Sequence, residues 1–194
     1  PYLYFTFLLN TTMKKSHFLT LLALLGTAFA EQVTILGIND MHANIDGMPQ
    51  LATRVKQERL ADPGLLLLAA GDNRTGNPYV DNGNRPGIPM VTLMNHIGFD
   101  LSPFGNHEFD YGQELLAERI SQSEFEVICA NMESCGSELT VPATTIIERG
   151  GIKFGFVGLV TNFADGYPDG QKSNFEGLTF PSPFEKAVEL QSLG

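Results

Sequence analysis

Positive charge is scarce in this chain. Of its 194 residues, 12 are Lys or Arg against 22 Asp or Glu, a formal net charge of −10. All the acidic residues lie after position 30, whereas Lys14 and Lys15 lie before it, so a chain starting at Glu31 would be more acidic still. Without clustered Lys and Arg, binding to a nucleic-acid polymer is disfavoured. A small phosphorylated molecule is not excluded, because a bound metal ion can supply positive charge. Cysteine is nearly absent too. Cys129 and Cys135 form no C-x-x-C pair, which excludes zinc-ribbon and thioredoxin-like readings. They could close a small loop in an oxidising compartment or both stay free. There is no G-x-x-x-x-G-K-[ST] phosphate loop, no G-x-S-x-G elbow, no internal repeat and no low-complexity segment. Glu108 and Asp110 sit too close in sequence, with nothing sugar-specific around them, to be read as a glycosidase pair.

Hydrophobic residues make up 43% of the chain, enough for a sizeable core, and the length allows one domain or one and a fraction. Met13-Lys14-Lys15, the apolar run Phe18 to Leu25 and the Ala28-Phe29-Ala30 end describe a secretory signal peptide. Leu19 to Ala30 is too short for a bilayer span, which needs about 20 residues. The expected organisation is therefore upstream translated sequence in residues 1–12, a signal peptide in 13–30 and a periplasmic or secreted mature chain in 31–194. No stable membrane span is expected after cleavage.

The mature chain alternates strands and helices. Gln32 to Ile38 is rich in β-branched residues and predicts a buried strand, ending in Asn39-Asp40-Met41-His42. In extended backbone, residues i and i+2 share a side, so Asp40 and His42 would present a carboxylate and an imidazole together. Met48 to Leu60 has helical spacing. Leu65 to Ala70 predicts a central parallel strand that delivers Gly71-Asp72. Asn73 to Pro89 predicts a long loop, and Met90 to Ile97 a short helix with His96 as a structural residue near its C-terminus. Phe99 to Phe104 predicts a third strand, followed by Gly105-Asn106-His107-Glu108-Phe109-Asp110-Tyr111-Gly112. Taken alone, that segment reads equally as a site or as a loop whose Asn and Asp cap the next helix, Gln113 to Ser121. Phe125 to Ala130 predicts a fourth strand. Thr144 to Glu148 and Ile152 to Val160 predict a hairpin around Arg149-Gly150-Gly151. Pro183 to Leu193 predicts a last helix.

This alternation implies an α/β fold with a parallel sheet, whose strand C-termini share one edge. Three consecutive strand ends carry Asp40 and His42, Asp72, and Asn106 and His107 to that edge. Each alone could be a turn or cap residue; together they suit a divalent ion such as Zn²⁺, Mn²⁺ or Fe²⁺.

The Asn39-Asp40-x-His42, Gly71-Asp72 and Gly105-to-Gly112 motifs resemble those of the calcineurin-like metallophosphoesterases, nearest to the secreted 5′-nucleotidase and UDP-sugar hydrolase branch. The resemblance covers residues 32–194, with Ala43 departing from a frequent Gly. It implies the N-terminal part of a four-layer α/β/β/α sandwich and two divalent metal ions as cofactors. Asp40 and His42 would hold the first metal, Asp72 would bridge both and Asn106 would hold the second. Asn106 and His107 would face the substrate phosphoryl group, with Asp110 orienting His107. The implied reaction is removal of phosphate from a nucleotide, or another phosphate ester, by a water activated between the metals. Cyclic-nucleotide phosphodiesterase or sulfur-ester hydrolase activity, or an inactive secreted metal-binding protein, are the alternatives. The resemblance also calls for histidines after His107, including a Gly-His-x-His segment, and His17, His42, His96 and His107 are the only four. The chain is therefore expected to be the front portion of a longer enzyme, with weak metal binding and little turnover of its own.

Overall fold

A computed structural model describes residues 33–191. The signal-peptide and upstream segments fall outside the described residues. The first strand, β1 (Ile35–Ile38), leads into helix α1 (Met48–Ala61), then β2 (Leu66–Ala69), a single helical turn α2 (Pro78–Asp81), α3 (Ile88–Ile97) and β3 (Leu101–Pro103). Helix α4 (Gly112–Gln122) and β4 (Glu126–Ile128) complete a four-stranded sheet in the order β1-β2-β3-β4, with every pairing parallel. Chain order and sheet order coincide, as expected when each helix connects neighbouring parallel strands. Helices α1, α3 and α4 pack on one another in sequence. The protein is a mixed α/β structure built on a parallel sheet.

The core follows the apolar spacing. Helix α3 buries Met90, Val91, Met94 and Ile97, one face at helical period. Met90, Met94 and Ile97 join Val55 of α1 and the buried Leu65, Leu67 and Ala69 of the second-strand region. The expectation that the first strand is buried needs correction. β1 is the sheet edge, and its exposure alternates: Leu36 and Ile38 pack against the core, while Ile35 is 46% exposed. An edge strand with one open face shows period two rather than the continuous burial of a central parallel strand, which β2 does show.

A second apolar cluster gathers Phe104, Phe109, Leu116, Phe175 and Phe180, with Phe109 in tilted or edge-on contact with the other three aromatic rings. It anchors the segment after β3 from beneath. The hairpin forms from β6 (Thr144–Arg149) and β7 (Ile152–Val157), with Arg149 paired to Ile152 rather than in the turn. Gly150 and Gly151 alone make the loop, with φ of +56° and +74°; two positive φ values in a two-residue hairpin turn suit glycine best. Arg149 pairs with Asp100 Oδ1 at 2.6 Å, while Asp100 Oδ2 accepts from the Leu67 N–H, tying the hairpin to the sheet. The short strands β5 (Glu133–Ser134) and β8 (Leu178–Thr179) pair antiparallel, and α5 (Pro183–Gln191) follows. No helix among the described residues is long and apolar enough to cross a membrane.

Both cysteines are free, Cys129 buried and Cys135 exposed. Burial pushes the Cys129 thiol pKa up to about 12, so it stays protonated and unreactive at neutral pH. Iodoacetamide at pH 8 is expected to label Cys135 alone in the native chain, and both thiols after denaturation, as read by mass spectrometry. Native labelling at Cys129 would contradict its burial.

Candidate active site

The C-terminal ends of β1, β2 and β3 converge through unusual backbone. Asp40, His42 and Ala43 have φ of +51°, +43° and +54°, and Asp72 and Thr75 have +51° and +68°. Among the described residues these are all the non-glycine positions with positive φ, and each costs about 1–2 kcal/mol for an L-residue. Such concentrated strain marks functional turns. It also corrects the sequence argument for Asp40 and His42. They are not on one side of an extended strand; a left-handed turn brings His42 Nε2 to 3.8 Å from Asp40 Oδ1. Two backbone bonds hold that turn on the next one: His42 N–H to Asp72 O at 2.9 Å and Ala43 N–H to Asn73 O at 3.0 Å. Ala43 thus keeps a left-handed conformation that glycine would adopt freely, and does so fully buried.

The ligand atoms are set by what surrounds them. His42 Nδ1 lies 3.0 Å from Thr75 O. A carbonyl only accepts, so Nδ1 carries a proton, and in the neutral ring the lone pair is then on Nε2. Asp40, His42 and Asp72 each offer one ligand atom, and these atoms all lie within 4.8 Å of one another. Two carboxylates and an imidazole form a donor set that fits a divalent cation.

From the third strand end, a 3₁₀ turn over His107–Phe109 delivers the imidazole. His107 N–H donates to Asp72 Oδ1 at 2.9 Å, and its Nδ1 donates to Asp110 Oδ2 at 2.8 Å. The His42 and His107 rings meet edge-on with centroids 4.8 Å apart. Burial is the largest influence on the His107 pKa and works to lower it. The hydrogen bond to Asp110 and the charges of Asp110, Asp72 and Glu108 together outweigh burial and hold it above its ordinary value. Asn106 makes no capping bond, and α4 begins behind Tyr111 without any side-chain cap. The capping explanation of Asn106 and Asp110 therefore does not apply. The structure gathers Asp40, His42, Asp72, His107 and Asp110, with Asn106 on the same turn, one residue before His107. His96 is exposed on α3 and is not among the residues gathered there.

Glu108, whose role does not follow from sequence spacing, is a structural residue. It is 6% exposed, and its carboxylate accepts backbone N–H groups from Asp72 at 3.0 Å, Asn73 at 2.9 Å and Gly105 at 2.7 Å. Its carbonyl accepts from Arg74 Nη2. One side chain thus fastens the β2 and β3 turns to each other. The turns also touch directly. A Cβ on Gly71 would stand 2.4 Å from Gly105 N, and one on Gly105 would stand 2.2 Å from Asp72 Oδ1; neither position has room for a side chain.

No family model matches the chain. It is 31% identical over 189 residues to the endonuclease YhcR of Bacillus subtilis, covering 80% of this chain and 15% of that protein. It is 31% identical over 162 residues to the 5′-nucleotidase of Rattus norvegicus, covering 71% of this chain and 28% of that one. The crystal structure of the calcineurin-like phosphoesterase YfkN from Bacillus subtilis matches with a TM-score of 0.68 at 25% identity, over 84% of this chain and 59% of that one. The chain spans less than a third of the length of either curated relative. A parallel α/β sheet carrying Asp and His at three adjacent strand ends, with these neighbours, defines a metallophosphoesterase N-terminal domain. The chain belongs to the calcineurin-like metallophosphoesterase superfamily, and its relatives in sequence are 5′-nucleotidases and kindred phosphoesterases.

Proposed function

We propose that this chain carries the front part of the active site of a metal-dependent phosphoric ester hydrolase that removes phosphate from nucleotides, as its 5′-nucleotidase relatives are named for doing. The observation that carries this reading is the Asp40, His42 and Asp72 donor cluster set against an imidazole held by Asp110. Asp40 and His42 Nε2 would hold one divalent ion, Asp72 would lie between two, and the Asn106 amide oxygen would serve the second. Two such ions, when bound, supply positive charge to phosphoryl oxygens and lower the pKa of a water. The chain's own residues do the rest. Asp110 accepts the hydrogen bond of His107 Nδ1–H, fixing its ring and leaving Nε2 to face the phosphoryl group. From there His107 stabilises charge developing on the phosphoryl oxygens or protonates the leaving oxygen.

The likeness to a named endonuclease favours a second reading, diester hydrolysis. The acidic balance of the chain weighs against a polynucleotide substrate. We further infer that residues 13–30 export the protein, so that the mature chain begins at Glu31 in the periplasm or outside the cell.

Calorimetric titration with Mn²⁺ and hydrolysis of p-nitrophenyl phosphate, bis(p-nitrophenyl) phosphate and AMP test the reading. Weak Mn²⁺ binding is expected, with slight turnover that favours monoester over diester. His107→Ala should abolish turnover while leaving Mn²⁺ binding in place. Preference for the diester would support the second reading, and the absence of any Mn²⁺ binding would sink both.

A further inference from the structure

Asp110, which holds the His107 ring, is itself held only loosely by its own segment. It closes the 3₁₀ turn over His107–Phe109, and its backbone N–H reaches His107 O at 3.4 Å. An N–H···O distance of that length is at the weak end of hydrogen bonding. Two residues on, the chain turns through Gly112, at φ +82°, to enter α4. A group that orients a reacting imidazole must nevertheless keep its place to within about 0.5 Å.

Further support comes from a residue 64 positions later: Asn174 Nδ2 donates to Asp110 O at 3.1 Å. Asn174 lies in a 3₁₀ turn over Lys172–Phe175 and is fixed there on both sides. Its N–H donates to Gln171 O at 2.9 Å, and its carbonyl accepts from Gln113 Nε2 at 3.0 Å. Gln113, the second residue of α4, also gives Nε2 to Glu176 O at 2.9 Å and accepts from Ser137 Oγ.

The neighbouring Phe175 is buried against Phe109, with ring centroids 5.3 Å apart. Consecutive residues of one turn thus meet consecutive residues of the other: Phe175 meets the Phe109 ring and Asn174 the Asp110 carbonyl. The two contacts do different work. Apolar packing is non-directional and sets how deep the turn sits. A hydrogen bond is directional, so the Asn174 amide sets the orientation of the peptide that follows Asp110. The Asp110 side chain leaves that same backbone and meets His107 Nδ1 at 2.8 Å.

We propose that Asn174 is a positioning residue for the His107–Asp110 pair, acting on His107 only through Asp110. Its bond is to a backbone carbonyl, so it is not a catalytic residue. This role rests on the reading of His107 as the group that faces the phosphoryl. Without the bond, Asp110 rotates more freely and His107 is no longer held to one tautomer.

Two measurements on the whole chain test this. Asn174→Ala removes the donor, and Asn174→Asp removes it while keeping the side-chain shape. In the metal-free wild type, at a pH where the ring is neutral, the ¹⁵N shifts of His107 should show the Nδ1–H tautomer alone. Either variant should lose that single form and show both. With Mn²⁺ and p-nitrophenyl phosphate, kcat should fall roughly 10–100-fold at unchanged KM and Mn²⁺ affinity. Asp110→Ala should lose at least as much, and adding Asn174→Ala to it should lose no more, because the two residues act in series. The tautomer measurement needs neither metal nor turnover. A lost tautomer with unchanged kcat would support the positioning role and sink the reading of His107 as catalytic. A single wild-type tautomer in both variants would overturn the proposal whatever the turnover, as would losses that add in the double variant. Failure of both variants to fold would make Asn174 a residue of the fold alone and overturn it too.

Discussion

Glu108→Ala is expected to cost about 3–5 kcal/mol of folding stability, more than most single substitutions. The wild-type carboxylate accepts three backbone N–H groups across two turns. A hydrogen bond to a charged acceptor contributes roughly 1.5–3 kcal/mol net, and a buried donor left without a partner costs a further amount of similar size. The three bonds do not sum in full, because the turns can relax and admit water once the side chain is gone. The buried Arg74 also loses a nearby negative charge, so its own burial becomes less favourable. Urea unfolding is the measurement: the midpoint should fall sharply at an unchanged slope. Glu108→Gln is the informative companion. It keeps the shape but replaces one acceptor oxygen with an NH₂ group that faces backbone amides, so it should recover only part of the loss. Stability within about 1 kcal/mol of wild type for Glu108→Ala would show that the turns are held by other contacts, such as the Gly71–Gly105 approach.

The sheet was legible because its signals are local. Leu65 to Ala70 is wholly apolar and becomes the central strand β2, and the polar residues that end each apolar run do lie at one sheet edge. The Gly150-Gly151 turn was equally plain. What escaped the sequence was conformation and burial that run against residue type. Nothing in Asn39-Asp40-Met41-His42 announces left-handed backbone, since Asp and His adopt it only when surrounding bonds impose it. Here those bonds come from Asp72 O and Asn73 O, more than 25 positions away. Glu108, Arg74 and Arg119 belong to residue types that are mostly exposed, yet all three are buried. Charged groups go inside only where the fold supplies partners: backbone amides of Asp72, Asn73 and Gly105 for Glu108, the Glu108 carbonyl for Arg74, and the side chains of Gln122 and Glu118 for Arg119. Asn106 and Asp110 were ambiguous for the opposite reason. Capping and catalysis use the same side chains, and only the three-dimensional structure shows that α4 takes neither as its cap.

Asp72→Asn separates the folding role of the candidate metal centre from its binding role. Asp72 Oδ1 accepts from the His107 N–H, and an asparagine oxygen can do the same, so the link between the β2 and β3 turns survives. What disappears is one of two carboxylates whose ligand atoms stand, with that of His42, within 4.8 Å of one another. Without a cation those carboxylates repel each other, and the backbone at φ +51° is one that asparagine tolerates at least as well as aspartate. In EDTA the variant should therefore unfold at the same temperature as wild type or slightly higher. With Mn²⁺ the order should reverse. Even a residue that only orients a ligand typically changes metal affinity by 10–100-fold when altered, and Asp72 offers its charge directly, so a loss on the order of a hundredfold or more is expected. Stabilisation by Mn²⁺ should shrink accordingly, because it scales with the logarithm of ligand concentration over Kd. The crossing of the two stability orders between EDTA and Mn²⁺ is the signature of a site that keeps repulsive charge in place for a ligand. Equal Mn²⁺ affinity in the two proteins would remove Asp72 from the metal site. Marked destabilisation in EDTA would make it a structural residue instead.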